Sequence, residues 1–278
     1  MTDPQQQLAS QIRDLQLQIQ AGAFEKTADQ LVPLLEQHPQ SQDLLYMAAV
    51  CARYLKRTEA AFDYLARLKK AVPDFGRAFQ EEGHLRRSTG DLIGALSAFQ
   101  LATRYNPALL ASWRAQAELF DQGGNPKAAA EARAQADRLS RLPKELFAVT
   151  NYLHEGRILH AEKIARAFLQ KNPAHVEGMR LLADIGTRLG VHEDADFLLE
   201  TAIELEPENL QLRIDHVQVL RKRQKYEAAL KQAEALLERA PDNPTFRSIY
   251  AIESMQAGNY DEALEIFDSV LAGLPEDL

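Results

Sequence analysis

Gln256-Ala257-Gly258-Asn259-Tyr260-Asp261-Glu262-Ala263-Leu264-Glu265-Ile266-Phe267-Asp268-Ser269-Val270-Leu271-Ala272-Gly273-Leu274-Pro275 reads as a glycine turn, an amphipathic helix and a proline stop. Stepping back 34 residues at a time from Pro275 reaches Pro241, Pro207 and Pro173, and Pro107, Pro73 and Pro39 form a second ladder of the same interval. A fixed period of this size belongs to a stack of helical repeats, because one helix pair cannot bury its apolar face alone and leans on its neighbours.

The rest of the chain fits that frame. Two helices of 3.6-residue periodicity joined by a short turn recur through it, and no segment alternates as a strand would. The period divides the chain into eight repeats, 8–41, 42–75, 76–109, 110–141, 142–175, 176–209, 210–243 and 244–277. Turns are read at Gly22-Ala23-Phe24, Gly90-Asp91-Leu92, Gly123-Gly124-Asn125-Pro126, Glu155-Gly156-Arg157-Ile158, Leu189-Gly190-Val191-His192, Arg223-Gln224-Lys225-Tyr226 and Ala257-Gly258-Asn259-Tyr260. The register slips once. Pro107 to Pro173 is 66 residues, two short of two periods, and Pro143 follows the slip. That predicts a shortened junction near 141–143 inside a single array over 1–278, rather than a domain boundary. At the start, Asp3-Pro4 predicts an N-cap followed by proline at N1. The Gln-rich helix behind it, 5–20, has the polar outer face that a terminal repeat requires.

Small residues explain how the helices approach. Twelve residues before each rung stand Thr27, Ala61, Ala95, Ala129, Ala161, Ala195, Ala229 and Ala263. A side chain this small lets two helix axes cross closely. The eighth position of the repeat is also mostly small (Ala49, Gly83, Ala117, Ala183, Ala251) and is expected to face that alanine across the pair. Phe99, Leu199 and Phe267 are expected to fill the space between consecutive pairs.

Composition narrows the function. The 278 residues are 46% hydrophobic, enough to line a continuous core, and carry a net charge of −8 with both signs interspersed. Nucleic-acid binders and membrane-surface proteins want a basic excess, so neither class fits. No apolar run reaches the length of a membrane span. The N-terminus, Met1 to Gln7, lacks the basic and apolar regions of a signal peptide. The single cysteine, Cys51, excludes an internal disulfide and reads as a small buried hydrophobe. A reducing compartment, the cytoplasm, is the expectation.

Catalytic chemistry finds no foothold. His154 and His160 lie six residues apart across a turn, and there is no His-Glu-x-x-His or paired-cysteine spacing, so no metal or cofactor is expected. Gly123-Gly124 is a helix–helix turn and not a phosphate loop. The segment is read as non-catalytic.

The Gly-Asn-Tyr-Asp-Glu-Ala-Leu…Phe…Pro pattern of 258–275 resembles the tetratricopeptide repeat. So do Glu82-Gly83…Gly90…Ala95…Phe99…Ala102…Pro107 and Gly190…Ala195…Ala202…Pro207. The resemblance covers nearly the whole chain. It implies an all-α, right-handed solenoid superhelix whose first helices line a concave groove that holds peptides or other proteins. The second half is also similar to the helical N-terminal region of bacterial sulfotransferases that carry such repeats. No phosphosulfate-binding motif occurs here, so that activity would lie beyond Leu278.

In the family, positions 2, 5, 9, 12 and 13 of each first helix face the groove. Here they hold eight basic groups, Arg53, Arg77, Arg87, Arg114, Arg180, Arg188, Arg221 and Lys222, against five acidic ones, Asp43, Glu118, Asp121, Glu177 and Asp184. An acidic peptide or a C-terminal carboxylate is the expected ligand, with Arg77, Gln80, His84, Arg87 and Arg114 as its polar centre. The family's Lys/Asn/Asn/Lys/Arg clamp for chaperone tails is not matched. At the other end, Leu264, Phe267, Val270, Leu271 and Leu274 form a stripe that a following helix would cover. It is expected to meet further chain or to make a homodimer contact. Three functions follow, in order: a scaffold binding a protein or peptide in the groove, the arm of a larger transferase, and an assembly factor acting through its ends.

Overall fold

One residue per hairpin turns the chain through a left-handed backbone conformation. Gly22, Lys56, Gly90, Gly124, Gly156, Gly190, Gln224 and Gly258 all have positive φ, between 58° and 96°. Glycine adopts this freely, whereas Lys56 and Gln224 do so at a cost of roughly 1–2 kcal/mol each. The next residue's N–H then reaches back to a helix-end carbonyl, Arg57 to Ala52 at 2.8 Å and Lys225 to Leu220 at 2.9 Å, which offsets that cost.

The computed structural model describes residues 4–272, in which there are sixteen helices and no strand. Asp3, Leu274 and Pro275 lie outside the described residues. The helices fall into two compact units, 1–142 and 143–278. The first contains α1 (Pro4–Gln20), α2 (Phe24–Gln37), α3 (Gln42–Tyr54), α4 (Thr58–Ala71), α5 (Gly76–Ser88), α6 (Leu92–Tyr105), α7 (Leu110–Gln122) and α8 (Pro126–Ser140). The second contains α9 (Lys144–His154), α10 (Ile158–Lys171), α11 (Val176–Leu189), α12 (His192–Leu205), α13 (Leu210–Lys222), α14 (Tyr226–Arg239), α15 (Pro244–Ala257) and α16 (Tyr260–Ala272). The two residues missing from the period are missing from α9, which has 11 residues where α3, α5, α7 and α13 have 13. Pro143 is its N-cap.

The proline ladder ends the second helices by a visible route. His38, Val72, Asn106, Asn172, Glu206 and Ala240 each precede a proline and are C-caps with ψ between 65° and 93°. A proline ring excludes the helical conformation from the residue before it, so the helix stops there. Each of these caps still donates its N–H to the carbonyl four residues back.

Within each unit the helices pack in chain order, and first helices also touch the next first helix, as α3 does α5, α5 does α7, and α11 does α13. No pair of successive second helices is as close. The first helices therefore form the inner layer of each unit. Thr27, Ala61, Ala95, Ala129, Ala161, Ala195 and Ala229 are fully buried and Ala263 nearly so. Each fully buried Leu or Phe around them contributes roughly 1.5–3 kcal/mol. The eighth position does not face this ladder as expected. A Cβ on Gly83 would lie 2.7 Å from the Phe99 ring, and the neighbour of Ala195 is Gly186. Antiparallel helices bring together residues equidistant from their turn, and Gly83 and Phe99 each lie eight residues from Asp91 in the Gly90-Asp91 turn. Phe99 and Leu199 are buried, Phe99 against Gly83 of its own pair and in one cluster with Ala115 and Leu119 of the next helix, while Phe267 in α16 is half-buried.

Candidate binding face on the first helices

In the first unit the face is built by α3, α5 and α7. Nε of Arg53 donates to Glu81 at 2.6 Å, tying α3 to α5, and the guanidinium also lies over the Tyr54 ring, 4.4 Å from its centroid. Glu81 is buried, and burial pushes its carboxyl upward against the opposing charges of Arg53 and Arg77. Ser112 on α7 donates to Oε1 of Gln80 at 3.1 Å. Arg87 pairs with Glu118 at 2.8 Å, again from α5 to α7. His84 stands between these pairs, its ring edge-on to Phe99. Burial, together with the positive charges of Arg53 and Arg87, holds its imidazole down at about 4, so it is neutral at pH 7. Arg114 is exposed and stands in no ion pair among the described residues, whereas Asp121 is drawn to Arg133 on α8.

In the second unit Arg180 on α11 is held from two sides. Its Nε and Nη2 donate to both carboxylate oxygens of Glu177, at 2.8 and 2.7 Å, and Nη1 reaches Asp215 on α13 at 3.1 Å. The hydrogen bonds to Glu177, ahead of the other causes, hold this guanidinium above its ordinary pKa. Arg188 pairs with Asp184 one turn before it, at 3.0 Å, and Arg221 on α13 pairs with Glu253 on α15. Lys222 is exposed and outside any ion pair among the described residues. A cavity of about 190 Å³ opens beside Arg180, lined by Ala183, Asp184, Thr187, Leu199, Asp215, Gln218 and Val219 as well.

Of the residues singled out in the sequence, Arg53 lies on α3, Arg77, Gln80, His84 and Arg87 on α5 and Arg114 on α7 of the first unit, and Arg180 and Arg188 lie on α11 of the second. Counting groove positions missed three acids: Glu81, Asp215 and Glu253. With them the acids number eight and the basic excess of the face disappears. Long guanidinium stems reach across to the next first helix, so carboxylates off the counted positions still neutralise them.

Elsewhere, Asp196 on α12 gathers His216 (2.6 Å), Lys225 (2.9 Å) and Arg223 around one buried carboxylate. Burial alone would raise its pKa, but the hydrogen bonds from Lys225 and His216 overcome this and lower it. Cys51 is buried, which pushes its thiol up to about 11. Of the C-terminal stripe, Leu264 and Leu271 are 61% and 64% exposed, Phe267 and Val270 are half-buried, and Leu274 falls outside the described residues. Among the described residues no cluster of three or more His, Cys, Asp or Glu is placed to hold a metal, and no helix is long and apolar enough to cross a membrane.

Residues 214–277 match the tetratricopeptide repeat family. No curated protein matches the chain. Similar solved structures include the APC/C hetero-tetramer Cut9–Hcn1, at 16% identity and a TM-score of 0.44, over 92% of this chain and 51% of that one. Naa15/Naa10 bound to HypK-THB gives 20% and 0.42, over 91% and 41%. The MamA protein gives 14% and 0.40, over 72% and 92%. The chain thus spans about half the length of the first and two fifths of the second. None of these matches concerns a sulfotransferase.

Proposed function

We propose that this tetratricopeptide-repeat chain is a non-catalytic scaffold that holds an acidic protein segment against the α3–α5–α7 face. The observation that carries the reading is Arg114, an exposed guanidinium on α7 in no ion pair among the described residues. His84, kept neutral chiefly by burial and secondarily by Arg53 and Arg87, adds no charge of its own beside it. Arg53 and Arg87 are already held by Glu81 and Glu118, so Arg114 is the charge this face has free for an acidic segment. The 34-residue period, which resumes after losing two residues between Pro107 and Pro173, is the ground for treating both units as one array in this role.

Fluorescence anisotropy with labelled hexaglutamate and hexalysine peptides on the whole chain tests it. Hexaglutamate should bind, weaken as NaCl rises from about 0.05 to 0.5 M, and weaken roughly tenfold in Arg114→Glu. Equal binding of both peptides, or no response to Arg114→Glu, would sink the reading.

A second reading rests on the exposure of Leu264 and Leu271: the α16 face docks on a second copy of the chain. Light scattering should then show a dimer that Leu264→Lys/Leu271→Lys converts to monomer. A monomer in both cases rejects it.

A further inference from the structure

We infer that the cavity between α11 and α13 receives one lysine side chain of the bound partner. This rests on the reading of the first-helix layer as the binding face, and it gives the second unit a preference opposite to the first. The cavity volume, about 190 Å³, is below the roughly 300–1,000 Å³ of pockets that hold small molecules. It has room for one long side chain. Its floor is apolar (Ala183, Leu199, Val219) and its rim is polar (Arg180, Asp184, Thr187, Asp215, Gln218). A methylene stem with a charged tip fits that division.

The sign of the charge follows from how the rim groups are engaged. Arg180 does not make this an anion site, because two carboxylates, Glu177 and Asp215, already hold its one positive charge. One negative charge is left over. Asp184 meets Arg188 through Oδ1 only, and its second oxygen is in no hydrogen bond among the described residues. Asp215 accepts from Arg180 on one oxygen and from Gln211, at 2.8 Å, on the other, which leaves each oxygen one further lone pair. Thr187 donates its hydroxyl hydrogen to the carbonyl of Ala183 at 2.8 Å, so what it presents to a ligand is lone pairs. The capacity remaining at the rim is acceptor capacity. An ammonium has three donors and no acceptor, and its donors can reach carboxylates on two helices at once. A guanidinium fork matches one carboxylate presented side-on, and the rim does not present one.

The sequence places these two acids together only here. Asp184 is the ninth residue of its repeat and Asp215 the sixth of the next. The same two places in the other junctions within the units hold at most one carboxylate, the nearest case being Glu81 opposite Val50. There Arg53 occupies Glu81 and both are largely buried. At α11–α13 the place of Arg53 is taken by Thr187, which is too short to fill the space.

Methyl-detected NMR of the whole chain, titrated with Ac-Gly-Lys-Gly-NH2, its Nε-acetyl-lysine form and Ac-Gly-Glu-Gly-NH2, tests the assignment. The lysine peptide should shift the methyls of Ala183, Leu199 and Val219 saturably, and the other two should not. Asp184→Asn and Asp215→Asn should each weaken the lysine peptide roughly tenfold, the loss of one charge-assisted contact. Asp215→Asn also loosens Arg180, so Asp184→Asn, at the exposed end of the rim, is the decisive variant. Shifts caused equally by the acetylated peptide, no shifts at all, or undiminished binding by Asp184→Asn would each overturn the inference. If lysine fails here while hexaglutamate still binds in a manner dependent on Arg114, the scaffold reading survives and this one alone is lost. If the lysine peptide shifts the cavity methyls while hexaglutamate does not bind, the first-unit reading falls and this one stands.

Discussion

Arg53–Glu81 in the first unit and Arg180–Asp215 in the second do the same job at different depths. Each ties one first helix to the next with an arginine and a carboxylate. Yet the Glu81 side chain is 6% exposed and that of Asp215 is 24%. A deep pair removes both partners from water, so it contributes little beyond the desolvation it offsets, but losing one partner strands the other. A shallow pair leaves each charge its water, and breaking it is mild. Depth, more than the presence of a salt bridge, should therefore rank these contacts.

The largest effect expected is at Glu81. Glu81→Ala should destabilise the first unit by about 3 kcal/mol, because Arg53, half-buried against Tyr54, keeps its charge without a partner. Repeat arrays unfold in parts, so the loss is best read by hydrogen exchange at α3 and α5 amides. The double change Arg53→Met/Glu81→Leu should recover most of it, since an apolar pair of similar size needs no solvation. If the double variant is as unstable as the single one, depth is not what ranks these pairs.

Helix pairs also differ in how they fill their centre. Gly83 lies against Phe99 in α5–α6, and the corresponding residues are Ala49 and Leu65 in α3–α4 and Ala183 and Leu199 in α11–α12. The smaller partner accompanies the larger ring, which keeps the sum of volumes roughly level. Gly83→Ala should cost about 1–2 kcal/mol, the overpacking against Phe99 exceeding the gain of about 1 kcal/mol in helix propensity. Adding Phe99→Leu should return most of that, because it converts the α5–α6 arrangement into that of α3–α4 and α11–α12. Thermal denaturation of the three variants decides it, and no recovery in the double variant would count against a shared steric rule.

Such rules are why the fold was legible and the face was not. Thr27 and the seven alanines are small because helix axes cross there, and sterics leaves few alternatives. The proline stops act through the chain's own covalent geometry. Both kinds of constraint are local enough to repeat every 34 residues and be seen. The left-handed slot was only partly legible: glycine marks it six times, but Lys56 and Gln224 occupy it at a cost that the next residue's hydrogen bond offsets. The partners of the groove arginines were illegible for another reason. Glu81, Asp215 and Glu253 sit 28, 35 and 32 residues from Arg53, Arg180 and Arg221. They belong to a different repeat and a position off the counted face, and only packing brings them into reach. The cavity at α11–α13 was hidden likewise, since it arises from Thr187 standing where an arginine stands in α3.

The smallest effects complete the depth series and can break it most cleanly. Arg87–Glu118 joins α5 to α7 as Arg53–Glu81 joins α3 to α5, but the Glu118 side chain is 55% exposed and that of Arg87 is 39%. Side chains so wet gain little from pairing and lose rotamer freedom in doing so. Glu118→Ala should change stability by no more than about 0.5 kcal/mol, and the small change should fade at high salt. Asp215→Ala, at intermediate depth, should fall between, at about 1 kcal/mol, part of it recovered because Glu177 still holds Arg180. The order Glu81, Asp215, Glu118 is the testable content, and it comes from exposure alone, since the three pairs have comparable distances of 2.6, 3.1 and 2.8 Å. Were Glu118→Ala to cost as much as Glu81→Ala in urea denaturation, Coulombic attraction would outrank desolvation on this face. The first-helix layer would then be a structural lattice of charges, with correspondingly less freedom to exchange them for those of a partner.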